Sequence, residues 1–223
     1  MPQRDDAAIE VVGYEWVPPF AKGHVRDIRV RWALEEIGLD YRTRLISARE
    51  RPTDYFREQP FGQVPAYHEG DIHLFESGAI VLHIAEKDER LLPRDPVGRA
   101  RAITWLISAL NSIEPYVMNM VTIDTFCAGQ EWATLRRPAQ VELMERRLQQ
   151  LGTMLGDKDW LEDRFTMGDL VMVETLRNLE RGKVTMPENV RAYVQRGVAR
   201  PAFQAALAAQ LADFAPDPEG VSA

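Results

Sequence analysis

With 223 residues the chain is long enough to bury one large core or two small ones. Its 34 acidic residues against 27 basic ones leave a net charge of −7, which argues against nucleic-acid or anionic-membrane partners, since both select for a basic surface. The single cysteine, Cys127, excludes an internal disulfide framework and a dithiol redox pair. No apolar stretch approaches the length of a membrane span, and the first residues lack the apolar core of a signal peptide, so a soluble, cytoplasmic protein is expected.

Residues 9–16 (IEVVGYEW) are rich in β-branched and aromatic side chains and predict a first strand. A loop with Pro18, Pro19 and Gly23 follows. Val25, Ile28, Trp32 and Ile37 then recur at helical spacing, with Gly38 as a stop. Residues 41–47 alternate like a strand, and 54–57 read as a helical turn. Segments 64–68 and 72–75 flank Glu69-Gly70-Asp71 and predict a short hairpin. Residues 77–87 close this part as a helix. The order β-α-β-α-β-β-α describes an α/β unit. The charged, proline-bearing stretch DERLLPRDPVG is the best linker in the chain. Beyond it no strand pattern recurs: 99–126, 132–155, 166–181, 187–196 and 201–214 all read as helices, and the polar tail 216–223 reads as frayed.

Three local patterns sharpen the reading. Gln63-Val64-Pro65 enters a strand after a glycine-bearing loop; the proline is either cis or an ordinary strand-initiating residue. Glu76-Ser77-Gly78 stands between the second hairpin strand and a helix. Ser77 is placed to cap that helix, whose free N–H groups suit an anion, and Glu76 is an acceptor for an ammonium group. Thr166-Met167-Gly168-Asp169 has the spacing of a capping box, a structural signal.

In this order and spacing the three patterns resemble the soluble glutathione transferases over nearly the whole chain. The resemblance implies a thioredoxin-like α/β domain over 1–90 that binds glutathione, followed by an all-helical domain over 97–223. It implies a cis Pro65, with the backbone of Val64 pairing with the cysteinyl backbone of glutathione. Gln63, Pro65, Glu76 and Ser77 would complete that site, with glutathione as co-substrate, no metal, and a homodimer as the assembly. The family's reaction needs a group that stabilises the thiolate, which is the nucleophile. Here the chain departs from the pattern, because residues 17–27 contain no Tyr, Ser, Thr or Cys. Without a protein thiol there, the thiol-transferase and dehydroascorbate-reductase branches are disfavoured, and without a serine-rich segment so is the maleylacetoacetate-isomerase branch.

The remaining donors near that loop are Tyr14, Trp16, Lys22, His24, Arg26 and backbone amides. Tyr14 and His24 are the candidate catalytic residues, although Tyr14 reads equally as a strand residue packed in the core. Arg29 and Arg31 fall on the face expected to meet solvent. His68, His73 and His83 show no metal-ligand spacing with carboxylates or Cys127. The resemblance puts a small apolar electrophile between the domains, with Trp16, Trp105, Tyr116 and Met120 as candidate contacts. The expected function is conjugation of glutathione to such an electrophile, or its use as a reductant. The alternatives are a non-catalytic glutathione-binding or stress-response protein, and a scaffold that uses the fold only for association.

Overall fold

The computed structural model describes residues 2–179 and 184–216. The last two positions of the helix expected over 166–181 and the tail from 217 lie outside the described residues.

The chain divides into two compact units, one of residues 1–88 together with the segment from Pro201, the other of residues 89–200. In the first, strand β1 (Ile9–Tyr14) is followed by helix α1 (Asp27–Ile37), strand β2 (Tyr41–Ile46) and a short 3₁₀ turn (Thr53–Arg57). Strands β3 (Ala66–Glu69) and β4 (Ile72–Phe75) and helix α2 (Ser77–Ala85) complete the sequence-predicted order. The sheet runs β2-β1-β3-β4, with β1 parallel to β2 and the two hairpin strands antiparallel to their neighbours. Helix α1 stops where expected, on Gly38 in the left-handed region at φ 71°, whose N–H donates to the Leu34 carbonyl. Buried Val11, Val12, Ile28, Leu34, Tyr67, Ile80 and Ile84 form the core between sheet and helices.

Helix α8 (Pro201–Asp213), grouped by sequence with the helical half, packs along α1 in this first unit. Trp32 meets Phe203 edge to face with ring centroids 4.9 Å apart. This corrects the reading of Arg29 and Arg31 as surface charges: both are fully buried, because α8 covers the face that local periodicity left to solvent. Arg31 is neutralised by Asp27, one turn earlier at 2.7 Å, and by Asp213 of α8, also at 2.7 Å. Gln210 donates to the other oxygen of Asp27 at 2.7 Å.

The second unit contains helices and no strand among its described residues. Asp95 caps α3 (Pro96–Ser108) by accepting from the Gly98 amide at 2.8 Å. The helix widens into a π turn at Ala109–Ile113, continues as α4 (Glu114–Val121), and widens again at Thr122–Phe126. The first widening lies directly before Pro115, whose ring and missing N–H disrupt the ordinary ladder. Helices α5 (Glu131–Leu155), α6 (Met167–Arg177) and α7 (Glu188–Val198) follow, and α6 is buried along its whole length. That burial requires glycine at its start: a Cβ on Gly168 would lie 2.6 Å from the Cβ of Trp105. The predicted capping box is present, with Thr166 accepting from Gly168 N at 3.2 Å and Asp169 accepting from Thr166 N at 2.9 Å.

Candidate functional site

The loop before β3 is held by side chains behind it. Buried Gln59 accepts from the amides of Phe61 at 2.7 Å and Gln63 at 3.1 Å, and Tyr55 donates to the Gln63 carbonyl at 2.6 Å. Gly62 sits at φ 63°, where a Cβ would also lie 2.7 Å from the Phe56 ring, so only glycine fits. The Val64–Pro65 bond is cis. The Val64 side chain packs with Val12, Ile46, Tyr55 and Ala66, while its amide and carbonyl have no hydrogen-bond partner among the described residues. One backbone donor and one acceptor are thus available to an extended ligand beside the sheet.

Tyr14, the last residue of β1, packs against that same cluster together with Val25, so the end of β1, the approach to α1 and the 62–65 loop meet. Its hydroxyl lies 3.5 Å from the Gly62 carbonyl and accepts from Arg51 Nη2 at 3.1 Å. The Arg51 guanidinium also stands 5.6 Å from the Tyr14 ring centre and donates through Nε to the Gly62 carbonyl. Next to it, the Arg49 guanidinium covers the Trp16 ring at 4.2 Å. Sequence reasoning missed Arg49, Arg51, Tyr55 and Gln59; the only signal for them was the arginine content of the connection after β2.

Glu76 has φ 68° and ψ 112°, a left-handed backbone that a residue with a Cβ rarely adopts and that costs about 1–3 kcal/mol. Such strain in an exposed residue at a helix entrance points to function. Ser77 is the first residue of α2 and not its cap, which corrects the sequence expectation. Its buried hydroxyl accepts from Arg29 Nη1 at 3.3 Å. The first bond of α2 runs from Ile80 N to the Glu76 carbonyl at 3.0 Å, leaving the amides of Ser77, Gly78 and Ala79 as the helix's N-terminal donors.

His24 is half-buried just before α1, and its amide donates to the Ala21 carbonyl at 3.0 Å. Asp27 occupies the first turn of α1, where burial raises its carboxyl pKa against the opposing pull of Arg31 and Gln210. In the second unit Trp105 donates its indole N–H to Glu162 at 2.9 Å. Tyr116 accepts from Arg147 at 3.1 Å, and Met120 is a buried core residue.

A family model described as "Glutathione S-transferase, N-terminal domain" matches residues 21–86. Glutathione S-transferase GstA of Escherichia coli O157:H7 is 30% identical over 168 residues, covering 72% of this chain and 80% of its own. The chain belongs to the glutathione S-transferase family. A transferase of Hyoscyamus muticus is 29% identical over 81% of this chain and 92% of its own. Among solved structures, a family member from Pseudomonas fluorescens pf-5 with two glutathione bound has a TM-score of 0.77 at 27% identity, covering 92% of this chain and 94% of that one. A Burkholderia graminis transferase with two glutathione molecules per subunit has a TM-score of 0.77 at 26% identity, covering 89% and 87%. The sheet and helices of this transferase are accordingly the thioredoxin-like and helical parts of the family's architecture.

Proposed function

We propose that this transferase binds glutathione in its thioredoxin-like unit, activates the thiol, and delivers the thiolate to a small apolar electrophile. The observation that carries the reading is the unpartnered backbone of Val64 within the same unit as a strained Glu76 at the mouth of α2. Val64, between Gln63 and cis Pro65, pairs with the cysteinyl backbone of the tripeptide. The γ-glutamyl carboxylate takes the N-terminal amides of α2 with Ser77, and its ammonium takes Glu76. Tyr14 donates to the sulfur. Arg51, by donating to the phenol oxygen, makes that hydroxyl a stronger donor and favours the thiolate. His24 adds a second polar group at the mouth of α1. The thiolate electron pair forms the new C–S bond as the leaving group departs with the electrons of the broken bond. Within the thioredoxin-like unit, Trp16 is the aromatic side chain offered to the electrophile. The working assembly is a cytoplasmic homodimer, a state supported by the family relationship.

Calorimetric titration with reduced glutathione tests this directly. Saturable binding is expected, weakened by Ser77→Ala; Tyr14→Phe should lower kcat while leaving the dissociation constant within twofold. Unchanged binding in Ser77→Ala removes Ser77 from the site, and no binding at millimolar glutathione overturns the reading. Stoichiometry divides the chemistry. One glutathione per chain fits conjugation, whereas two per chain brings two thiols together and favours disulfide reduction, 2 GSH + RSSR → GSSG + 2 RSH. A second reading, binding without turnover, draws on the Tyr14 hydroxyl being already engaged by Gly62 and Arg51. Saturable binding with no conjugation or reduction above the uncatalysed rate would select it.

A further inference from the structure

The β3–β4 hairpin places two histidines in direct opposition. His68 and His73 are Cα partners in the antiparallel register, and their Nδ1 atoms are in contact, with ring centroids 4.7 Å apart and planes at 70°. The other nitrogen of His68, Nε2, lies 2.8 Å from Glu58 Oε2. In the tautomer that donates from Nε2 to Glu58, the Nδ1 of His68 presents a lone pair toward His73. Arg44, 3.4 Å from the same Nε2, is held by Glu10 at 2.8 Å and by Glu58, so two carboxylates offset its charge next to the imidazole. A carboxylate that accepts one ring N–H while the second ring nitrogen faces a shared point is the orienting arrangement found behind metal-bound histidines.

The geometry points to a metal site at this hairpin: His68 and His73 bind a late first-row divalent cation such as Zn²⁺ through their facing Nδ1 atoms. Glu58 acts as the positioning residue. Imidazole nitrogens select this class of ion over Mg²⁺ or Ca²⁺, which take oxygen ligands. No group of three or more His, Cys, Asp or Glu ligands is present among the described residues, so water fills the remaining positions. In a tetrahedral site with metal–nitrogen bonds of about 2.0–2.1 Å the two Nδ1 atoms stand about 3.3 Å apart. The ring of the exposed His73 provides that separation by a small rotation, with its own proton on Nε2. The site shares no residue with the proposed glutathione site, and it does not depend on the proposed function being correct.

The test is calorimetric titration of the full chain with Zn²⁺ near pH 7.5, with no glutathione present because its thiol chelates the metal. One saturable site per chain is expected. His73→Ala and His68→Ala should each weaken it at least tenfold, and Glu58→Gln by about tenfold. His83→Ala, in which the deleted ring is bound to Glu69, and Cys127→Ser should leave it unchanged. Zn²⁺ should also raise the melting temperature of the wild type but not of His73→Ala, which checks that the variant is folded and unoccupied. Absence of a saturable site, or binding in His73→Ala as tight as in the wild type, overturns the proposal and leaves a cross-strand hydrogen bond.

Discussion

Asp169 joins three parts of the second unit through one side chain. Its fully buried carboxylate accepts from the amides of Leu161 and Thr166, each at 2.9 Å, from the Thr166 hydroxyl at 3.2 Å, and from the Tyr193 hydroxyl at 3.1 Å. One side chain thereby ties the turn before α6, the first turn of α6 and helix α7. Burial pushes the carboxyl pKa up, and these donors pull against it. Asp169→Ala removes a cap worth about 1 kcal/mol. It also strands two backbone amides and the Tyr193 hydroxyl, at about 1–3 kcal/mol for each group that water fails to reach. Water entering the gap recovers part of this, so a net loss of about 3–5 kcal/mol is expected. For a chain of this size that lowers the melting temperature by about 6–20 °C. Tyr193→Phe deletes one of the same bonds and should cost about 1 kcal/mol alone. In the double variant the two losses should fall short of their sum by at least about 0.5 kcal/mol, because they share a bond. Urea unfolding followed by far-ultraviolet circular dichroism gives all four corners of the cycle. An Asp169→Ala variant within about 1 kcal/mol of wild type, or strictly additive losses, would refute the hub.

Two further predictions concern the first unit. Arg31→Met leaves the carboxylates of Asp27 and Asp213 facing each other without their cation, and should cost about 3–5 kcal/mol at neutral pH. Lowering the pH should shrink that loss, since protonation of Asp27, whose carboxyl burial already holds above the usual range, removes a stranded charge; a loss independent of pH would mean that packing, not charge, is responsible. Glu69 behaves oppositely. Partial burial works to raise its pKa, but hydrogen bonds from Lys87, His83 and Tyr67 outweigh it and hold the carboxyl at about 2. Its folded value lies below its unfolded one, so its stabilisation is complete above the unfolded pKa and disappears as pH falls toward about 2. Glu69→Gln should therefore narrow its stability gap from wild type as pH drops from 5 to 2, a trend measured by melting temperature; a constant gap would assign the effect to shape alone.

What could be read in advance follows from where each residue's partner lies. The Thr166–Asp169 box was legible because both members sit within one helical turn, whereas the Leu161 and Tyr193 bonds that raise its worth reach outside that turn. The hairpin was legible too, but reading Glu69-Gly70-Asp71 as its connection sets His68 against Ile72, whereas β3 runs on to Glu69 and the shorter turn brings His68 opposite His73. That consequence stayed hidden because metal spacing was sought along the chain and not across the ladder. Arg29 and Arg31 were misassigned for a related reason. Long cations on a helix usually reach solvent, and nothing within α1 announces that α8, which begins at Pro201, will cover them and supply Asp213. The Glu76 backbone was invisible for a different one: left-handed φ is signalled by glycine, and a glutamate held there is dictated by its surroundings and not by its own preference. Arg51 joins both difficulties, since it lies in an irregular connection and its partner Tyr14 is a strand residue 37 positions away. A missing hydroxyl in the 17–27 loop therefore does not leave the end of β1 without polar groups, since the Tyr14 hydroxyl and Arg51 meet there. The polar set around the Tyr14 hydroxyl is assembled from β1 and the connection after β2, and only the tertiary fold brings them together.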